Sequence, residues 1–307
     1  MKRLVALAAV ISFAVAGCST SSVGSPSDSP TSASAASGAG LVNVVASTNV
    51  YGDIVKTIGG PAVAVTSIID NPEKDPHEYE ADARTQLALS KAQLVIENGG
   101  GYDDFMDTLL SATDATPTLL TAVEVAGLDT GAEGFNEHVW YDLPAMSQLT
   151  GRIADALAEI DPDGADAYAA NAAELQHGIA VLVAREEQGR AAIDGAGVAV
   201  TEPVPGYLLD ALGAQDRTPA DFSEAIEEGR DVAPAVLRHT LGLFSTGQVR
   251  ALVYNEQTSG PETEQVLHAA RSAGIAVVPV TETLPDGEHY LSWMGGNLDA
   301  VVAALTA

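Results

Sequence analysis

The sequence predicts an α/β protein: two lobes of mainly parallel sheet, linked by one long helix. Three observations carry this. Short apolar runs alternate with stretches of helical spacing from Leu41 to Val123, and the alternation resumes after Gly195-Ala196-Gly197. Between them runs a proline-free segment, Ala165 to Ile193, rich in Ala, Glu and Gln. As a single helix it would extend about 43 Å at 1.5 Å per residue; the other reading is two shorter helices broken at Gly178.

In chain order, Val42 to Ala46 is a short apolar run, and Ile54, Val55 and Ile58 share one helical face before Gly59-Gly60. Val63 to Ile69 reads as a strand and Asn71 to Glu80 as a polar loop. A helix is expected over Ala83–Leu89, a buried strand over Leu94–Ile96 ending in Asn98-Gly99-Gly100-Gly101, a helix over Phe105–Leu110 and a strand over Thr118–Val123. Met146 to Leu157 is helical in spacing and stops at Asp161-Pro162. Beyond the long segment, strands are expected at Val198–Thr201, Ala251–Tyr254 and Ile275–Val280. Helices are expected at Tyr207–Leu212, Val236–Phe244, Glu262–Ala273 and Leu298–Leu305.

The N-terminus has its own signature. Lys2 and Arg3 precede an apolar stretch, Leu4 to Ala16, shorter than a membrane-spanning helix requires. Val15-Ala16-Gly17-Cys18 resembles a bacterial lipobox, and Cys18 is the only cysteine, so no internal disulfide can form. Residues 19–40 are Ser, Gly, Ala and Pro, a composition unable to bury enough surface to order itself. The expected division is a signal peptide (1–17), a lipidated Cys18 with a tether (18–40), an N-terminal lobe (41–163), a linking helix (164–194) and a C-terminal lobe (195–307). Expected localisation is extracytoplasmic, with membrane contact only through the lipid.

Lys and Arg number 14 against 42 Asp and Glu, a net charge of −28. That balance argues against nucleic acid and anionic lipid as partners and is compatible with a cation. In open α/β sheets, ligands bind beyond the C-terminal strand ends. Glu202, Glu256 and Glu282 fall there, and three carboxylates in one crevice repel one another unless a cation or protons compensate. Solvated loop acids would give the same pattern. His77 and His138 lie in loops of the first half, where a surface histidine is the commoner occupant. His177, His239, His268 and His289 receive no role. There is no HExxH, GxSxG or phosphate-loop motif, and the candidates stand too far apart for a local metal motif.

Taken together, these segments resemble the metal-binding lipoproteins of bacterial ABC importers for zinc, manganese or iron, over residues 41 to 307. The matching stretches are Asp75-Pro76-His77-Glu78-Tyr79-Glu80, then Glu137-His138-Val139-Trp140-Tyr141-Asp142-Leu143-Pro144, then Val200-Thr201-Glu202 with Gly206-Tyr207, then Val280-Thr281-Glu282-Thr283-Leu284. The resemblance implies two α/β lobes joined by a rigid helix, and a metal site in the cleft formed by His77, His138, Glu202 and Glu282. Tyr254-Asn255-Glu256 matches a strand end lining the site, with Glu256 expected behind the ligands. Asn136-Glu137-His138 departs from the usual Asp-Pro-His, Glu282 stands where Asp is usual, and residues 111–137 lack the His-rich loop of many zinc receptors.

The function so implied is capture of a divalent transition metal, Mn2+ or Zn2+ with Fe2+ as a further candidate, and delivery to an ABC permease and its ATPase. The protein is expected to be a non-enzymatic monomer without an organic cofactor. Two imidazoles and two carboxylates form an oxygen-rich set that favours manganese over zinc, although most such sites bind Zn2+ more tightly. The rigid helix implies small domain movement. Other readings are a metal-dependent hydrolase with Glu256 as general base, a surface adhesin of the same fold, and a metal-chelate receptor. Four protein ligands leave a hydrolase little room for its water.

Overall fold

The computed structural model of the chain describes residues 40–71, 79, 82–193 and 195–307. The expected signal peptide, Cys18 and the tether up to Ala39 lie outside the described residues, as does His77 with most of its loop. Residues 40–307 form one compact unit.

The first sheet grows from β1 (Val42–Thr48), α1 (Asn49–Gly59), β2 (Val63–Ile69), α2 (Ala83–Leu89), β3 (Leu94–Glu97), α3 (Phe105–Ser111), β4 (Thr118–Thr121) and α4 (Ala122–Val125). Its order is β2-β1-β3-β4, all parallel, with Val44 opposite Leu94 and Ile96 opposite Leu120. Near-continuous apolar runs suit parallel strands covered on both faces. Two helices follow, α5 (Leu143–Ile160) and α6 (Ala165–Ile193). The second lobe comprises β5 (Gly197–Val200), α7 (Gly206–Ala211), β6 (Gln215–Asp216), α8 (Ala220–Glu227), α9 (Pro234–Ser245), β7 (Ala251–Asn255), α10 (Pro261–Ser272), β8 (Ala276–Val280) and α11 (Tyr290–Thr306). Its order, β6-β5-β7-β8, repeats the first sheet's topology.

Local chemistry sets the helix ends. Asp142 caps α5 by accepting the Ala145 amide at 3.0 Å, and Pro144 follows inside the first turn, where its missing N–H costs nothing. Gly178 does not break α6. A Cβ there would stand 2.4 Å from Leu291 Cδ1, so its bare backbone lets α11 pack closely on the long helix.

Several expected bounds shift, two of them with a clear cause. The strand expected over Thr118–Val123 ends at Thr121, because Ala122 and Val123 turn into α4 with their side chains buried. The last helix starts at Tyr290 rather than Leu298; Gly295 and Gly296 hide its first turns in the sequence, while Gly295 packs near Leu182 and Arg185 of α6. The short β6 and α8 fall outside the elements expected from the sequence.

The lobes share one core. A continuous buried cluster runs from Val44, Ile54 and Leu94 through Leu149, Leu175 and Ile179 to Val198, Val253, Trp293 and Val301. The long helix is therefore cemented into both lobes, each buried Leu or Ile contributing roughly 1.5–3 kcal/mol. Smaller clusters cover the outer faces, around Leu89 and Met106 on one sheet and Phe222, Leu243 and Val266 on the other. Among the described residues no helix is long and apolar enough to cross a membrane.

Candidate metal site

Parallel pairing of β5, β7 and β8 brings their C-terminal ends together. Glu202 lies two residues past β5 and Glu282 two past β8, each 2% exposed. Between them stands Asn255, the last residue of β7. Its Nδ2 donates to Glu282 Oε1 at 2.8 Å and to Glu202 Oε2, so one amide grips both carboxylates. Gln257 fixes the turn beneath: its Oε1 accepts the Glu282 amide at 2.6 Å and the Thr283 amide at 3.1 Å. Arg250 precedes this strand at the opposite edge, donating to the Leu305 carbonyl at 3.2 Å.

Across the cleft, His138 is fully buried. Its ring packs edge-on against Trp140 and faces Tyr102, with centroids 5.1 and 6.0 Å away. The Asn136 side chain sets its tautomer. Asn136 Oδ1 accepts the His138 backbone N–H at 3.0 Å, and Nδ2 donates to the Pro203 carbonyl at 2.9 Å, which fixes the amide's orientation. The 2.7 Å contact of His138 Nδ1 with that same oxygen therefore places the proton on Nδ1 and turns the lone pair of Nε2 toward the cleft. Gly206 admits this arrangement, since a Cβ there would stand 2.5 Å from Asn136 Nδ2. Tyr207 adds a hydroxyl bond to the Asn136 carbonyl at 2.7 Å.

The Gly99-Gly100-Gly101 turn serves the same wall. Amides of Asn98 and Gly99 hold the Asp103 carboxylate at 2.6 and 2.8 Å, and Asn98 Nδ2 donates to the Glu137 carbonyl at 2.9 Å. Tyr102, buried beside His138, hydrogen-bonds Glu282 on the facing lobe, and burial together with that carboxylate drives its phenol pKa well upward.

One acid was not anticipated. Glu227, at the end of α8, places Oε1 3.3 Å from His138 Nε2. Glu137, His138 and Glu227 form a cluster whose ligand atoms lie within 4.8 Å of one another. Burial, then the negative charges of Glu137, Glu202 and Glu282, push the Glu227 carboxyl up to about 10. Tyr102 links the two sides, packing on His138 and hydrogen-bonding Glu282, while Glu227 lies against His138 in the field of Glu202 and Glu282. Glu256 does not join them: it is exposed, and its neighbour Asn255 occupies the place expected for it.

A family model, zinc-uptake complex component A periplasmic, matches residues 44–304. The chain belongs to this family. Relatives of the chain include manganese-binding lipoproteins of Halalkalibacterium halodurans and Bacillus subtilis. The first is 31% identical over 53% of this chain and 51% of its own, the second 28% over 57% and 56%. The matched part thus spans about half the length of these two relatives. In fold, the chain resembles a periplasmic zinc-binding protein from Treponema pallidum, with a TM-score of 0.73 at 19% identity, covering 87% of this chain and all of the other. The two lobes of parallel sheet and the long helix agree with the fold expected from the sequence.

Proposed function

We propose that this protein captures a divalent transition metal in the cleft and hands it to an ABC permease with its ATPase. His138, Glu202 and Glu282 serve as ligands, with His77 from the loop after β2 as the fourth. What most supports this is the pair Glu202 and Glu282, buried together and bridged by one Asn255 amide. Two such carboxylates oppose each other electrostatically, and a 2+ ion offsets both. The imidazole lone pair on the facing lobe supplies the nitrogen donor. Two imidazoles and two carboxylates make the loaded site formally neutral, which lowers the cost of burying the ion.

The cargo we favour is Mn2+, because carboxylate oxygens suit hard ions, and relatives are named for manganese. Zn2+ is the principal competitor. The lobes share a core and are tied by Tyr141 to the Thr281 carbonyl, Tyr290 to the Trp140 carbonyl and Asn49 to Leu284. Loading should therefore move them little. Lipidation of Cys18 would place the receptor on the outer face of the cytoplasmic membrane, within reach of a permease. We assign residues 41–163, 164–194 and 195–307 as lobe, linker and lobe, acting as a monomer that carries cargo without transforming it. Equilibrium dialysis against Mn2+, Zn2+ and Fe2+ with elemental analysis tests the reading: about one ion per chain is expected, and retention of none overturns it.

A further inference from the structure

Resting on the metal-capture reading, we infer that the Glu227 carboxylate is an additional ligand of the captured ion. It would bind beside the His138 imidazole and bias the site toward ions that accept more than four donors.

The first ground is geometric. Two atoms about 2.1 Å from a common ion, at angles between the octahedral and tetrahedral values, lie about 3.0–3.4 Å apart. The separation of His138 Nε2 and Glu227 Oε1 is 3.3 Å. These atoms already stand as adjacent members of one coordination sphere would.

The second ground is the direction of the donors. Asn136 holds the Nδ1 proton, so Nε2 presents a lone pair, and the atom facing it is a carboxylate oxygen. Two acceptors so placed repel unless a proton or a metal cation lies between them, and a captured ion takes the place of that proton.

The third is the electrostatic setting of Glu227. It ends α8, where the helix dipole is negative, in the field of Glu137, Glu202 and Glu282. The nearby Arg230 is engaged with Glu228. With a 12% exposed side chain, Glu227 has little access to water. When an ion takes Nε2, the contact between ring and carboxyl is broken, and the carboxyl either is left buried without that partner or gives up its proton and binds the same ion.

The position also fits a path from solvent. Glu137, Glu224, Glu227 and Glu228 line a cleft of about 730 Å3 that opens between the lobes beside Gly101 and Thr258. Glu227 is where that acidic mouth meets the buried imidazole.

A five-residue set would distinguish metals. Structural zinc is almost always four-coordinate, whereas manganese favours octahedral oxygen-rich spheres. Losing the Glu227 oxygen should therefore weaken Mn2+ more than Zn2+.

The test is a competitive chelator titration of Mn2+ and Zn2+ on the whole protein, comparing wild type, Glu202→Gln and Glu227→Gln. We expect Glu227→Gln to lower Mn2+ affinity about tenfold to a hundredfold and Zn2+ affinity by a clearly smaller factor. Unchanged or tighter Mn2+ binding, which would make Glu227 only a competitor for His138, overturns the inference, as does an equal loss for both ions. The capture reading fails separately, if Glu202→Gln binds as wild type does. Should Glu227→Gln not fold by its circular dichroism, Glu227→Asp, which retracts the oxygens while keeping the charge, must show the same preferential loss of Mn2+.

Discussion

The two walls of the cleft are built by different means. On the C-terminal side, Glu202 and Glu282 stand at strand ends, and the amides holding them come from the same sheet, Asn255 and Gln257. On the N-terminal side, His138 sits in a non-repetitive segment, and what orients it comes from afar. Asn136 is fixed by Pro203 and Tyr207 of the other lobe, and the Glu137 carbonyl by Asn98. One wall is prepared by local topology, the other by contacts between distant parts of the chain. It follows that the acidic wall should tolerate loss of interlobe contacts, while the imidazole wall should not.

The sharpest way to break this comparison is to remove charge from the acidic wall. Glu202→Gln should cost at least about a hundredfold in metal affinity, close to 3 kcal/mol, by isothermal titration. His289→Ala, whose exposed ring pairs with Asp53 just before α11, should bind as wild type does. Equal effects would disprove the placement of the site.

Next is the amide between the acids. Asn255→Leu removes the donor to both carboxylates and should lower affinity about tenfold to a hundredfold. Binding at the wild-type level would show that the acids need no shared clamp.

The interlobe ties come third. The Tyr141 hydroxyl donates to the Thr281 carbonyl at 2.9 Å and receives Asn297 Nδ2 at 3.2 Å. Tyr141→Phe leaves a buried carbonyl unsatisfied and should destabilise the protein by about 1–3 kcal/mol, seen as a lower midpoint in urea. An unchanged midpoint would mean the lobes are held by their common core alone.

The smallest expected effect is on pH dependence. Burial raises Glu186, on the long helix, to about 7, with Asp142 adding to the shift; Glu97 reaches about 7 chiefly through burial. In the unfolded chain both titrate near the ordinary value of about 4.3. Between those limits the folded state holds protons that the unfolded state has released, so stability rises as pH falls from about 7 toward 4.3 and is lost in the other direction. The acidic surplus acts the same way, which makes the variant decisive: Glu186→Gln should flatten the change in melting temperature between pH 8 and pH 5. An unaltered slope would locate the effect elsewhere.

This contrast between walls also explains what could be read from sequence. Alternating apolar runs located most strands, and the strand-end rule pointed to Glu202 and Glu282, because period and position are local properties. Glu256 was favoured over Asn255 by charge alone; side chains alternate along a strand, and it is the neutral amide that faces both acids. Glu227 was missed because α8 lies in an acid-rich stretch resembling a solvated loop, Ala220–Glu228, with no signal of its partner. Only folding brings it to His138, residues 89 apart in the chain. Gly99-Gly100-Gly101 was visible as a turn, yet its task, gripping Asp103 behind the imidazole wall, depends on contacts no motif records.

If the proposed capture holds, both walls meet on one ion. Crystals grown with Mn2+, measured at the manganese absorption edge, would test it most directly. A single strong anomalous peak is expected about 2.0–2.6 Å from His138 Nε2 and from oxygens of Glu202 and Glu282. A peak bound by one wall alone, or located outside the cleft, would contradict it.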